Sequence, residues 1–346
     1  MMRCVLYTVL LLWHASGCLA ADSHRCAFDE VRGKSGAVPF AVVREVPQKD
    51  QGAWQAYTLS VEKKWAPIRI KVFTEDMEDS LRYCTKAGEM RPNFRGHQVP
   101  CQAEDVLTEM KRKALVEHTI PAAVKLHTDR LSVEPVVGSV TVKPFKERTC
   151  SFFTIPNGHS TSGVSGADMI MYAAAGPTDG AAAWALTCAV LESKRPFVGV
   201  MNIDPRNAPT RRLTVRIIAH EIAHALGFGY DEMMKRGMVT SESNKRWKFN
   251  VKVVSSTKTK EMTRKHYNCE SAPGMELDNE GGPGTSKSHW KRRNARDELM
   301  SPITEAGYYT ALTMAAFEDM LFYKANSLVL WKCLIVAPRS STKFIT

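Results

Sequence analysis

The 346-residue chain contains no Asn-x-Ser/Thr sequon, no internal repeat and no low-complexity tract. The missing sequon removes N-linked glycans from the expectation. The missing repeats and biased tracts exclude solenoids, propellers and disordered arrays. Beyond residue 20, no apolar run approaches the roughly 20 residues that a membrane helix needs. The basic excess, a net charge of +11, is scattered, with short runs at Lys111-Arg112-Lys113 and Lys291-Arg292-Arg293. It reads as solvated surface, with attraction to acidic glycans or lipid headgroups as the alternative, and no nucleic-acid module accompanies it. What remains, 44% apolar and 24% charged residues, is ordinary globular composition, long enough for one large or two medium domains.

The first 20 residues have a different texture. Arg3 precedes an apolar stretch from Val5 to Trp13, and Ser16-Gly17-Cys18-Leu19-Ala20 offers small residues. This pattern is a secretory signal with cleavage expected after Ala20, a buried N-terminal helix being the alternative. Of nine Cys, Cys4 and Cys18 would leave with the signal, and seven would remain. An odd number in an oxidising compartment leaves at least one thiol unpaired or bonded to another chain. Spacing alone does not fix the pairs.

Residues 21–60 are polar and poorly periodic, and read as a pro-segment or a loosely ordered arm. Ile68 to Phe73 alternates apolar and basic residues, as a half-buried strand does. Val106, Leu107, Met110, Leu115 and Val116 predict a helix over 103–118, its start at Glu104-Asp105 suiting the helix dipole. A further helical stretch runs from Pro121 to about Arg130. The runs 136–142, 168–173, 181–191 and 197–203 read as strands separated by Gly and Pro. Residues 231–288 read as a long loop or small subdomain, and 306–323 as an amphipathic helix with Leu312, Ala315, Ala316, Phe317 and Met320 on one side.

The chemistry is concentrated in His220-Glu221-Ile222-Ala223-His224. No Pro or Gly interrupts 211–226, and its apolar residues suit a helix, so positions four apart stack one turn apart on one face. Two imidazoles can then reach one zinc ion, with Glu221 beside them to take up and return the proton of an activated water. Gly227-Phe228-Gly229 allows a sharp turn directly afterwards. A catalytic zinc needs a third protein ligand. The short extended motif would place a His at 230, where this chain has Tyr230. Either Tyr230 serves, or the ligand comes from farther along, where His266 and His289 remain.

The segment His220 to Phe228 resembles the zinc helix of the leishmanolysin family, surface proteases of trypanosomatids. The run Ser288-His289-Trp290 through Glu298-Leu299-Met300 is similar to that family's later segment. So are Gly163 to Asp168 with Met171-Tyr172, Gly199 to Ile203, and Ala306 to Ala315. The resemblance spans about His24 to Tyr323. It implies an α+β, metzincin-type zincin: a mixed twisted sheet, a zinc-motif helix, and a second subdomain carrying the third His and the Met-turn. It implies that His289 joins His220 and His224 on one Zn2+, with Glu221 as general base and Met300 in the Met-turn. His24-Arg25-Cys26 resembles the family's propeptide triplet, which implies that Cys26 acts as a cysteine switch; the alternative is a Cys26 that is free or disulfide-bonded. Disulfides Cys84–Cys101 and Cys150–Cys188 are implied as well.

The expected organisation is a signal at 1–20, a propeptide-like segment at 21–60, a catalytic subdomain at 61–230, and 231–323 with the insertion, third ligand and Met-turn. Residues 324–346 depart from the family pattern and carry no evident lipid-anchor signal, and Cys333 is a substitute partner for Cys269. The resemblance implies a secreted or surface-associated metalloendopeptidase acting on proteins or peptides, host or matrix proteins among them. A shortened, inactive relative that adheres to proteins is the alternative.

Overall fold

The computed structural model describes residues 26–35, 40–43, 45–46, 65–146, 149–208, 212–244, 249–280, 286–302 and 306–326. The signal, the triplet's first two residues, most of the expected propeptide-like segment and the tail from residue 327, with Cys333, lie outside the described residues.

Five strands form the main sheet: β1 (Ala41–Val42), β2 (Ile70–Phe73), β3 (Met169–Ala174), β4 (Ala183–Val190) and β5 (Pro196–Ile203). Their order is β1-β4-β5-β3-β2. The β4–β5 pair is antiparallel and the other three are parallel, so the sheet is mixed. Every residue of β3, β4 and β5 is buried. Strands covered on both faces lose the polar alternation and read as continuous apolar runs. Alternation survives only in which face each residue supplies. Met169, Met171 and Ala173 join one core with the helices, whereas Ile170, Tyr172 and Ala174 join a second core with Trp184 and Leu186.

The helical face carries α3 (Ile120–Thr128), α4 (Arg212–Ala225) and, farther along the chain, α7 (Ala311–Asp319); α2 (Glu109–Lys113), which buries none of its residues, precedes α3. Between α4 and α7 lie α5 (Tyr230–Lys235), the hairpin β6 (Val239–Asn244) and β7 (Phe249–Val254), α6 (Thr257–Tyr267) and β8 (Met275–Glu276). Residues 231–288 therefore hold a structured subdomain, with the order β6-β7-β8. Its Met238, Val254, Met275 and Leu277 enter the same core as Ile222 and Ala223 of α4.

Two expected helices and one strand are corrected. The helix placed over 103–118 starts at Glu109, because Asp105 accepts from Gln102 N in a turn (2.9 Å) and Thr108 caps α2 through Lys111 N (3.3 Å). From Ala114 to Thr119 the coil widens to a π-helix before α3. The helix placed over 306–323 shortens to α7, and Ala311 through Phe317 are all buried. It is a core helix, enclosed on all sides. The run 136–142 yields only a two-residue strand, Ser139–Val140.

Two disulfides tie loops to this frame. Cys84–Cys101 closes one loop, and Cys150–Cys188 anchors another to the bulge in β4 between Thr187 and Ala189. Cys26 and Cys269 are free thiols.

A buried carboxylate fixes β3 against β2. Asp168 accepts from Arg69 N (3.0 Å), Arg69 Nε (2.8 Å), Arg69 Nη2 (3.0 Å) and Val136 N (2.7 Å). Burial alone would raise its pKa, but these hydrogen bonds together hold it below the ordinary carboxylate value. A lowered carboxylate stabilises the fold above the unfolded pKa, about 3.9, and loses that contribution as pH falls through its folded value. Asp168→Asn is expected to cost roughly 2–4 kcal/mol at neutral pH, read as a lower urea midpoint at unchanged slope. The variant should also lack part of the wild-type acid-induced loss below about pH 4; an unchanged midpoint contradicts the assignment.

Candidate metal centre

Helix α4 carries the first two histidines. From Ile217 to Ala225 every residue is buried, because β4, β5 and α3 pack around it. The helix ends in a Schellman turn: Gly227 N donates to His224 O (3.0 Å) and Phe228 N to Ala223 O (3.0 Å). That turn needs the left-handed backbone of Gly227, φ +105°, where an added Cβ would also meet Pro196 Cγ at 3.2 Å. The same turn delivers Phe228 O to His224 Nδ1 at 2.7 Å.

His220 is held in a corresponding way, its Nδ1 donating to Leu299 O at 2.6 Å. Leu299 belongs to a tight loop organised by the fully buried Glu298. That carboxylate accepts from Met300 N (3.2 Å), Thr310 N (3.1 Å), Thr310 Oγ1 (2.5 Å) and Thr313 Oγ1 (2.7 Å). Met300 is buried in the same core as Ile222 and Trp290. The segment bearing His289 is pinned on both sides: Asp278 N donates to His289 O (2.8 Å), and Trp290 N to Met300 O (2.8 Å).

The result is a triangle of imidazole nitrogens. His220 Nε2 lies 3.1 Å from His224 Nε2, and both lie 3.2 Å from His289 Nε2. With protons on Nδ1 of His220 and His224, the inward nitrogens carry lone pairs, which repel unless a cation lies between them. A tetrahedral zinc with bonds of ~2.0–2.1 Å would set neighbouring nitrogens about 3.3–3.4 Å apart, so the donor set fits that ion. Burial, more than the neighbouring rings, lowers His220 to about 3 and drives His224 well down, so both rings are neutral donors.

A fourth donor comes from the opposite end of the chain. Cys26 Sγ lies 3.6 Å from His224 Nε2, and the four ligand atoms are all within 4.8 Å of one another. Burial pushes the thiol well up in the absence of a cation; a metal inverts this and binds the thiolate. Next to it is α1 (Phe28–Ser35), whose Phe28 ring stacks on His224 at 4.0 Å and 3°. The residues first read as a possible loose arm thus dock into the site. Cys26 bridges to Ala183 in parallel, and β1 pairs in parallel with Ala189 and Val190, so the edge of β4 is covered at both ends.

Glu221 is buried beside Cys26, with the Ala185 amide bonded to its carboxylate and Oε2 meeting no protein donor. Burial raises its pKa to about 8. His266 lies outside the cluster, against Tyr267 on α6. Tyr230 donates its backbone N–H to Ser288 Oγ at 3.0 Å. Two supporting residues were missed in the sequence. His127 bonds to Ala219 O (2.8 Å) and Tyr309 Oη (3.2 Å), and burial lowers its pKa to about 4. Asp29 lies 3.7 Å from His289 Nδ1. Neither has a sequence signal beyond its residue type.

A mixed sheet backing a helix with an His-Glu-x-x-His face, completed by a distant histidine, is the architecture of a metallopeptidase. The leishmanolysin (peptidase M8) family model matches residues 24–346. The chain is 38% identical to leishmanolysin of Leishmania chagasi over 326 residues, covering 88% of this chain and 54% of that protein. It is 42% identical to leishmanolysin of Leishmania major over 266 residues, 76% of this chain and 44% of that one. A leishmanolysin homologue of Crithidia fasciculata is 39% identical over 267 residues, 76% and 41% respectively. The chain belongs to the leishmanolysin family of zinc metallopeptidases. It spans about half the length of the curated relatives it matches.

Proposed function

We propose that this chain is a zinc metalloendopeptidase in its latent form, with His220, His224 and His289 holding one Zn2+ and Cys26 closing the fourth position. The observation that carries this reading is the triangle of buried Nε2 atoms with edges of 3.1–3.2 Å and a thiol over it. Three protein ligands and one replaceable position distinguish a catalytic zinc from a structural one. When bound, zinc polarises the scissile carbonyl and acidifies water at the replaceable position.

The remaining steps belong to side chains of this chain. Glu221, beside the cluster on the same helix, removes a proton from the attacking water and returns it to the leaving amine. Phe228 O and Leu299 O keep the protons of His224 and His220 on Nδ1. A peptide substrate lies along the edge of β4, which β1 and Cys26 occupy in the latent form. Removing the segment that contains Cys26, α1 and β1 uncovers both the edge and the replaceable position. The two disulfides suit an oxidising compartment, consistent with secretion or surface exposure, and no helix among the described residues is long and apolar enough to cross a membrane. Proteins or peptides are the proposed substrates, host or matrix proteins included.

Three measurements test this. Glu221→Gln should lower casein hydrolysis by about 10²–10⁴-fold with one zinc still bound; normal turnover would refute the mechanism. His289→Ala should weaken zinc by well over ~10²-fold and His266→Ala should leave it unchanged, so the reverse order would overturn the ligand set. Cys26→Ala should abolish the thiolate absorption of the cobalt(II)-loaded uncleaved chain while the edge of β4 stays covered by β1; if the absorption is already missing in the wild type, Cys26 does not close the fourth position.

A further inference from the structure

We propose that Arg95 is a specificity-determining residue, which takes a carboxylate side chain of the substrate once the segment bearing Cys26 and α1 has left. The proposal deepens the peptidase reading above and rests on it.

Arg95 is a buried cation whose donors are poorly used. Its side chain is 9% exposed, and among the described residues its Nε meets no acceptor. Nη2 reaches Thr178 O only at 3.5 Å. Nη1 faces two carboxylates, Glu30 Oε1 at 3.5 Å and Asp179 Oδ2 at 3.9 Å. Asp179 Oδ2 already accepts from Asn93 Nδ2 at 3.1 Å. The guanidinium also lies over the ring of Trp184, 5.8 Å from its centroid. A buried guanidinium with such long contacts is a receptor for a carboxylate, which it can hold through two parallel N–H groups.

The backbone fixes this group in place. Asn93 Oδ1 accepts from Arg95 N (2.9 Å) and from His97 N (3.2 Å). Phe94 is kept at φ +57° with its ring fully buried. A bulky residue stays in that left-handed region only where its surroundings enforce it.

Arg95 also stands beside the substrate path. Trp184 follows Ala183, the residue of β4 to which Cys26 bridges, and Thr178 lies on the loop that enters β4. Glu30, in the first turn of α1, approaches from the solvent side: its side chain is 38% exposed and also pairs with Lys34 at 2.8 Å. In the uncleaved chain the pro-segment therefore supplies the carboxylate. After its departure, a peptide laid along the edge of β4 passes the same guanidinium. Buried, that charge discriminates a carboxylate from a carboxamide more strongly than it would in water. The chemistry selected is an acidic residue at the subsite flanking the start of β4.

The experiment takes the folded, zinc-loaded full chain, frees it of the pro-segment by limited proteolysis, and measures kcat and KM on paired peptides. Each pair differs by Glu or Gln at a single position, stepped along both sides of the scissile bond. At one position the wild type should favour Glu by about 10-fold or more in kcat/KM, the usual strength of a hydrogen bond to a charged group. Arg95→Gln should bring the two peptides of that pair to equal kcat/KM, and Arg95→Lys should keep part of the difference. Arg95→Glu should favour Lys at the same position. A wild type without Glu preference at any position overturns the proposal, whether or not the variants fold. Persistence of the preference in Arg95→Gln overturns it as well. In both cases cleavage of the Gln peptides leaves the peptidase reading intact. A wild type that cleaves no peptide after loss of the pro-segment removes that reading and the proposal together.

Discussion

The site depends on the outward nitrogens of its histidines. At His220 and His224 the inward Nε2 is a lone-pair donor because Nδ1 is committed to a backbone carbonyl. Those carbonyls are positioned by quite different parts of the chain. Phe228 O is delivered by the glycine turn ending α4, and Leu299 O by a loop wound around the buried Glu298. Helix α4 is fixed from its other sides by His127 on Ala219 O, Thr187 Oγ1 on Ala225 O (2.8 Å) and Tyr323 Oη on Leu226 O (2.8 Å). Much of the polar network in this half of the molecule thus constrains one short helix and the loop opposite it.

The legible part of the site was the part set by helical periodicity. His220, Glu221 and His224 follow from a four-residue spacing, and Gly227 from the need for a left-handed cap. His289 did not follow, because nothing local links it to His224 across 65 positions; the likeness to known proteases singled it out, and the same holds for the two disulfide pairs. Asp29 was not legible at all: it reaches Ser288 N only because residues 26–35 fold back against a segment 259 positions farther along the chain.

The fold divides along the same line. Strands β3, β4 and β5 were visible as apolar runs because both faces are buried, although their ends shifted by a residue or two. Residues 103–118 misled because the turn at Gln102–Asp105 and the Thr108 cap outweigh the dipole argument for an earlier start. Around α7 the apolar stripe was too narrow an expectation, since the core encloses the helix completely. The polar stretch after α5 hid a hairpin and a helix, whose few buried side chains, Val251, Val253, Thr259 and Thr263 among them, are diluted by exposed Lys and Thr.

The position of His224 in the last turn of α4 has an electrostatic consequence. Aligned peptide dipoles leave partial negative charge at a helix C-terminus, favouring a nearby cation by about 0.3–1 kcal/mol or more where solvent is excluded. The element that spaces the two rings therefore also biases their surroundings toward positive charge, before any carboxylate contributes. An anion in the same place would meet the opposite field, so the backbone itself discriminates by sign.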